Sequence, residues 1–130
     1  MAGSAIAAAL RQAHKVRTMV DVGQRFDEER CFGYLLGQRG ELIALARIEE
    51  GGTYDGVMWL RVADLTVVEP TLHPTYWRAA LKLKRQRLPR DPAPAARTFA
   101  GVLLVAARTG AVVTLHQEEL FPEEELGRRP

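Results

Sequence analysis

The sequence predicts an α+β fold: an N-terminal helix, a five-stranded antiparallel small barrel, then two helices and a final strand. Three observations carry that prediction. Between Met19 and Glu69 the apolar residues recur with a period near two, and short turns cut them. Before Met19 and after Pro70 the period lengthens to that of a helix. Several of the strands are apolar on both faces, which suits a strand in a small closed barrel or one stacked between a helix and a sheet. The 130 residues divide into 1–70, the barrel with its helix, and 71–130, a helical extension ending in a strand.

Each element has its own local reason. Ser4 can cap a helix from about Ala5 to His14, whose stripe of Ile6, Leu10 and Ala13 can lie on a core. Met19 to Phe26 is the first strand, with Val20, Val22, Gln24 and Phe26 on one face. Asp27-Glu28-Glu29 is expected as a charged turn. Cys31 to Leu36 follows, closed by Gly37-Gln38-Arg39-Gly40, and then Glu41 to Ile48. Asp55-Gly56 is a strong turn pair ahead of a fourth strand over Val57 to Val62. Ala63-Asp64-Leu65 is a very short link to Thr66–Glu69, and Pro70, which has no amide to give a ladder, ends it.

The second half reads as helical. His73-Pro74 opens a helix to about Arg87, with Pro74 at a first position that needs no amide. Trp77, Ala80, Leu81 and Lys84 form one side of it, and Arg78, Lys82 and Arg85 another. Pro89, Pro92 and Pro94 stiffen a linker. Ala95 to Thr109 is a second helix with Phe99, Val102, Leu103 and Ala106 inward and Gly110 as its stop. Ala111 to Gln117 is a last strand, which must join an edge of the sheet or pair with another copy of the chain. The tail from Glu118 is acidic.

Composition narrows the function classes. A net charge of +2 is too small to imply a partner. One cysteine, Cys31, excludes an internal disulfide and suits a reducing compartment, so the cytoplasm is expected. No stretch approaches the roughly 20 apolar residues of a membrane span, and the first ten residues lack the charged start of a signal peptide. No membrane partner is expected.

The pair "GYLLGQRGELIALA" and "VMWLRVADLTVVE", each strand–turn–strand, resembles the Sm-like fold over about residues 4–69. It also looks like a group of small bacterial proteins with Asp-Gly-apolar followed by Arg-x-x-Asp-Leu, here Asp55-Gly56-Val57 and Arg61–Leu65. In Sm-like RNA binders, rings of subunits hold bases in pockets made by the two corresponding turns. The resemblance maps those turns onto Gly37–Gly40 and Arg61–Asp64, and it makes Arg39 and Arg61 candidate contacts to single-stranded RNA. The first turn lacks Asp-x-Asn, and Val62 rather than Gly follows Arg61, so a guanidinium plane is what remains for a base to stack on.

Catalytic vocabulary is thin. Cys31 lies between Arg30 and Phe32 in a strand, while His14, His73 and His116 are scattered, so no base is set beside the thiol. His116 with the tail carboxylates and Asp27-Glu28-Glu29 lack metal-ligand spacing, and Gly37-x-x-Gly40 lacks the residues of a phosphate loop. No enzyme, metal or cofactor is expected. The one charge constellation is Arg78, Lys82, Lys84, Arg85, Arg87 and Arg90, with no acid among residues 78–90. It can contact phosphates, or pair with the acidic tail within or between chains. The reading is a non-enzymatic, self-associating interaction module. The alternative is a weak single-stranded RNA binder using Arg39, Arg61, Arg78, Lys82 and Arg85.

Overall fold

The computed structural model describes residues 3–110. Helix α1 (Gly3–Val16) leads into β1 (Met19–Gln24), β2 (Asp27–Arg39), β3 (Leu42–Ile48) and β4 (Tyr54–Arg61). A 3-10 turn (Val62–Asp64) joins β4 to β5 (Leu65–Pro70), and α2 (Pro74–Leu83) and α3 (Phe99–Thr109) follow. Every strand pairing is antiparallel and the order is β4-β3-β2-β1-β5. The sheet is open, with β4 and β5 as its outer strands, so the expected closed barrel is corrected.

Helices supply what barrel closure was expected to supply. One face of the sheet carries Val20, Val22, Leu35, Ile43, Leu45, Leu60, Leu65 and Val68, and α1 covers it with Ile6, Leu10 and Ala13. Side chains alternate across a strand, so Leu42 and Ile48 of β3 point the other way from Ile43 and Leu45. Leu42 packs with Ala93, Ala96 and Val102, hence under the α3 region. Ile48 packs with Met19 and Leu81, hence under α2. The doubly apolar strands are therefore the middle layer of helix, sheet and helices.

Several boundaries move for identifiable reasons. The first turn is Arg25-Phe26; Asp27 already belongs to β2 and pairs with Gln24, so the acidic triplet is strand. Asp55-Gly56 is a bulge inside β4: Ala46 pairs with Val57 and Ile48 with Tyr54, leaving two residues opposite one. Gly56 holds φ at 72° there, a value a side chain would strain. Helix α2 stops at Leu83 rather than near Arg87. Gln86 N–H donates to Leu81 O (2.9 Å) and Arg85 N–H to Lys82 O (3.0 Å), a Schellman closure with Arg85 left-handed at φ 53°. Helix α3 begins at Phe99 because Thr98 Oγ1 accepts from Gly101 N–H (3.1 Å). Gly110, at φ 74°, closes it as expected. The expected final strand over 111–117 and the acidic tail lie outside the described residues.

Candidate functional site

The link after β2 and the link after β4 lie side by side, because β3 and β4 are paired neighbours. Val62 N–H donates to Glu41 O (2.9 Å), which joins the link after β4 to the link after β2. Arg25 N–H donates to Asp64 O (2.9 Å), and the Arg25 side chain pairs with the Asp64 carboxylate at 3.1 Å. Strand register explains both contacts: Leu42 pairs with Arg61 and Gln24 with Leu65, so the residues that follow or precede them are neighbours.

What sits on these turns is the chain itself. Arg39 donates from Nε to Ala96 O (3.0 Å) and from Nη2 to Ala93 O (2.9 Å). Nη2 also lies 2.8 Å from Asp91 Oδ2. That oxygen meets no donor in hydrogen-bond alignment, so charge holds this contact. The other oxygen, Oδ1, accepts from Ala93 N–H at 2.9 Å. Glu41 N–H donates to Arg97 O (3.2 Å). The Arg61 guanidinium lies 4.6 Å from the centre of the Phe99 ring. Both turn arginines thus fasten residues 91–99 onto the sheet, and a base would have to compete with these contacts.

Arg78, Lys82 and Arg85 have a different setting. All three are exposed. Among the described residues no carboxylate pairs with any of them, and Arg78 has only Thr75 Oγ1 at 3.5 Å. Lys84, in contrast, caps Gly51 O. Beside these cations lies an apolar stripe that the periodicity had not singled out. Leu72, Tyr76 and Leu83 are 76%, 62% and 84% exposed. At about 100° per residue, Tyr76, Ala79 and Leu83 share one helix flank and Arg78 and Lys82 the next. Spacing puts Trp77 and Leu81 on one side of the helix, and there Leu81 is buried with Trp77 packed against the same cluster, but spacing does not tell which remaining apolar residues are left uncovered.

A groove of about 380 Å³ runs beside β4. Asp55, Val57 and Trp59 line one wall; Pro92, Val105 and Thr109 are among the residues of the other. The Trp59 indole Nε1 is buried and has no acceptor among the described residues. An orphaned buried donor costs about 1–3 kcal/mol, so an incoming carbonyl there would be favoured.

The remaining candidate groups are not gathered into one place among the described residues. The Cys31 thiol lies 3.8 Å from Met58 Sδ. Burial pushes its thiol pKa up, against a smaller opposing pull from Arg47, so it is not poised as a thiolate. Neither His14 nor His73 contacts it in the described hydrogen bonds, and His116 lies outside the described residues. Among the described residues no three His, Cys, Asp or Glu side chains gather as a metal site. No described helix is long and apolar enough to cross a membrane. No protein-family model, curated protein or solved structure matches the chain.

Proposed function

We propose that the protein is a non-enzymatic, Sm-like interaction module that associates with copies of itself by adding a strand at β4. The observation that carries this is β4 as an outer strand of the sheet, with a groove lined by its residues and a Trp59 indole N–H that has no acceptor among the described residues. An extended chain laid there gives β4 a ladder partner, and its carbonyls supply acceptors. The occupant is residues 111–117, AVVTLHQ, of a second copy. Alternation of Val113 and Leu115 with Val112 and Thr114 suits one covered face. Thr109 lines the groove and a single residue, Gly110, separates it from Ala111. If the strand starts at Ala111 as its sequence leads one to expect, one linking residue is shorter than the usual connections of two or more, which disfavours a turn back along the same wall.

The test is molar mass by light scattering at tens of micromolar, for the native chain and for Val113→Pro. The native chain is expected to be a dimer or larger, and the proline, which removes a ladder donor, to give monomer. A monomeric native chain, or a Val113→Pro chain of unchanged mass, refutes the proposal. A second reading, a weak single-stranded RNA binder, draws on the cations Arg78, Lys82 and Arg85, which no carboxylate among the described residues pairs. It requires binding to a single-stranded oligonucleotide that weakens steeply with salt and is lost when those three are changed to Glu; absence of binding at low salt eliminates it.

A further inference from the structure

The outward face of α2 has the composition of a binding surface rather than of a solvated helix. Its apolar stripe ends in Leu83, 84% exposed, and no acid occurs between Glu69 and Asp91 to balance the cations beside it. Solvated faces of small domains usually intersperse both signs and avoid large exposed apolar groups. A ligand for this face must offer carboxylates and hydrocarbon together, at short spacing.

The sequence holds one such stretch outside the described residues. Residues 118–126 read EELFPEEEL: five Glu, with Leu120 and Phe121 between them and Leu126 after them. We infer that this segment, from a second copy of the chain, docks on the α2 face, its glutamates on Arg78, Lys82 and Arg85 and its apolar residues on Tyr76 and Leu83. The inference rests on the strand addition at β4 proposed above, because that places the segment. Tyr54 starts β4, and its N–H donates to Gln86 Oε1 (3.1 Å), three residues past the end of α2. A strand laid antiparallel on β4 runs from Arg61 towards Tyr54 and leaves the edge beside α2. Residue 118 then begins where the basic face begins. Two weak sites on one connected ligand reinforce each other, because binding of the first makes the second effectively intramolecular.

Proline at 122 keeps this segment from continuing a ladder, so side chains and not backbone must hold it. That predicts a contact sensitive to salt, unlike the strand before it.

The chain carries its own reporters. It has three lysines, Lys15, Lys82 and Lys84, of which Lys15 lies on α1. Isotopically light and heavy full-length chains are mixed, equilibrated and joined with a zero-length carbodiimide, which links a lysine amine to a carboxylate in contact with it. Mass spectrometry is expected to find Lys82 or Lys84 of one isotope linked to Glu118–Glu125 of the other, at least tenfold above links to Lys15. Leu83→Ser with Tyr76→Ser, both at exposed positions, is expected to cut that yield several-fold. Changing all five tail glutamates to Gln is expected to weaken association by about tenfold or more, as several surface ion pairs together can.

Links confined to chains of one isotope overturn the inference, as do links no richer at Lys82 and Lys84 than at Lys15. A yield unchanged by the serine pair overturns it too. The two proposals fail separately. If Val113→Pro dissociates the assembly while the five-Gln chain associates as tightly as the native one, strand addition stands and the tail contact falls. If Val113→Pro leaves the mass unchanged, strand addition has failed first.

Discussion

Replacing Arg39 with Ala should loosen the C-terminal half of the molecule from the sheet. The native side chain is one-fifth exposed and its partner Asp91 less than one-tenth, so water can replace little of what is lost. The substitution strands two carbonyls, Ala93 O and Ala96 O, and leaves the Asp91 carboxylate without its cation. Breaking a buried ion pair from one side costs about 3–5 kcal/mol, and the residual exposure of Arg39 argues for the lower end. With a denaturant dependence of about 1–3 kcal/mol per molar urea, a 3 kcal/mol loss moves the midpoint down by at least 1 M. Arg39→Ala with Asp91→Ala should recover part of the loss, since no lone charge is then buried. Hydrogen exchange adds a local readout. Glu41 N–H, which donates to Arg97 O, should lose protection before the amides of β3 do. A midpoint lowered by less than about 0.3 M, with Glu41 still protected, refutes the view of Arg39 as a clamp.

Other perturbations test separate parts of the fold. Leu10→Ala empties a fully buried position where α1 meets the sheet and should cost about 2–5 kcal/mol in urea unfolding. Gly33→Ala would set a methyl 1.9 Å from Ala46 O, so the β2–β3 pairing must shift; a loss of 2 kcal/mol or more is expected from the same assay. Arg85→Gly relieves a left-handed residue at the end of α2 and should raise stability by about 0.5–1 kcal/mol, read as a higher thermal midpoint. Burial raises the Cys31 pKa in the folded chain. Between the unfolded thiol's pKa and this raised value the native state holds more protons than the unfolded one. The stability linked to it is therefore fully present below the unfolded value and is lost as pH climbs through that alkaline window. Urea midpoints at a series of pH values should show that decline, and Cys31→Ala should remove it.

Local pattern made much of this fold legible. Ile6, Leu10 and Ala13 turn inward as their spacing requires, and β1 and β3 lie within a residue or two of where alternation puts them. Asp55-Gly56 shows the limit. The dipeptide demands a left-handed glycine, and a bulge satisfies that demand as well as a hairpin turn does. The end of α2 was hidden because its Schellman closure uses Arg85 where Gly is the usual signal. Two-faced hydrophobicity in β3 says that both sides are covered, not by what, so helices could stand where a closing strand was expected. For the site, the exposure of Arg78 and Lys82 follows from helical spacing, whereas Arg85 lies past the end of the helix. The employment of Arg39 does not follow from local spacing, because its partners lie 54 and 57 residues away.

Arg39 grips main-chain oxygens, and that has an evolutionary corollary. Carbonyls are common to all residues, so the grip reads the path of the segment and ignores its lettering. Pro94, Ala95 and Arg97 point outward and can drift freely while the route is kept. Removing a single residue between Asp91 and Thr98 would displace both oxygens from the fork at once. Among natural variants, that stretch should vary in spelling far more than in length.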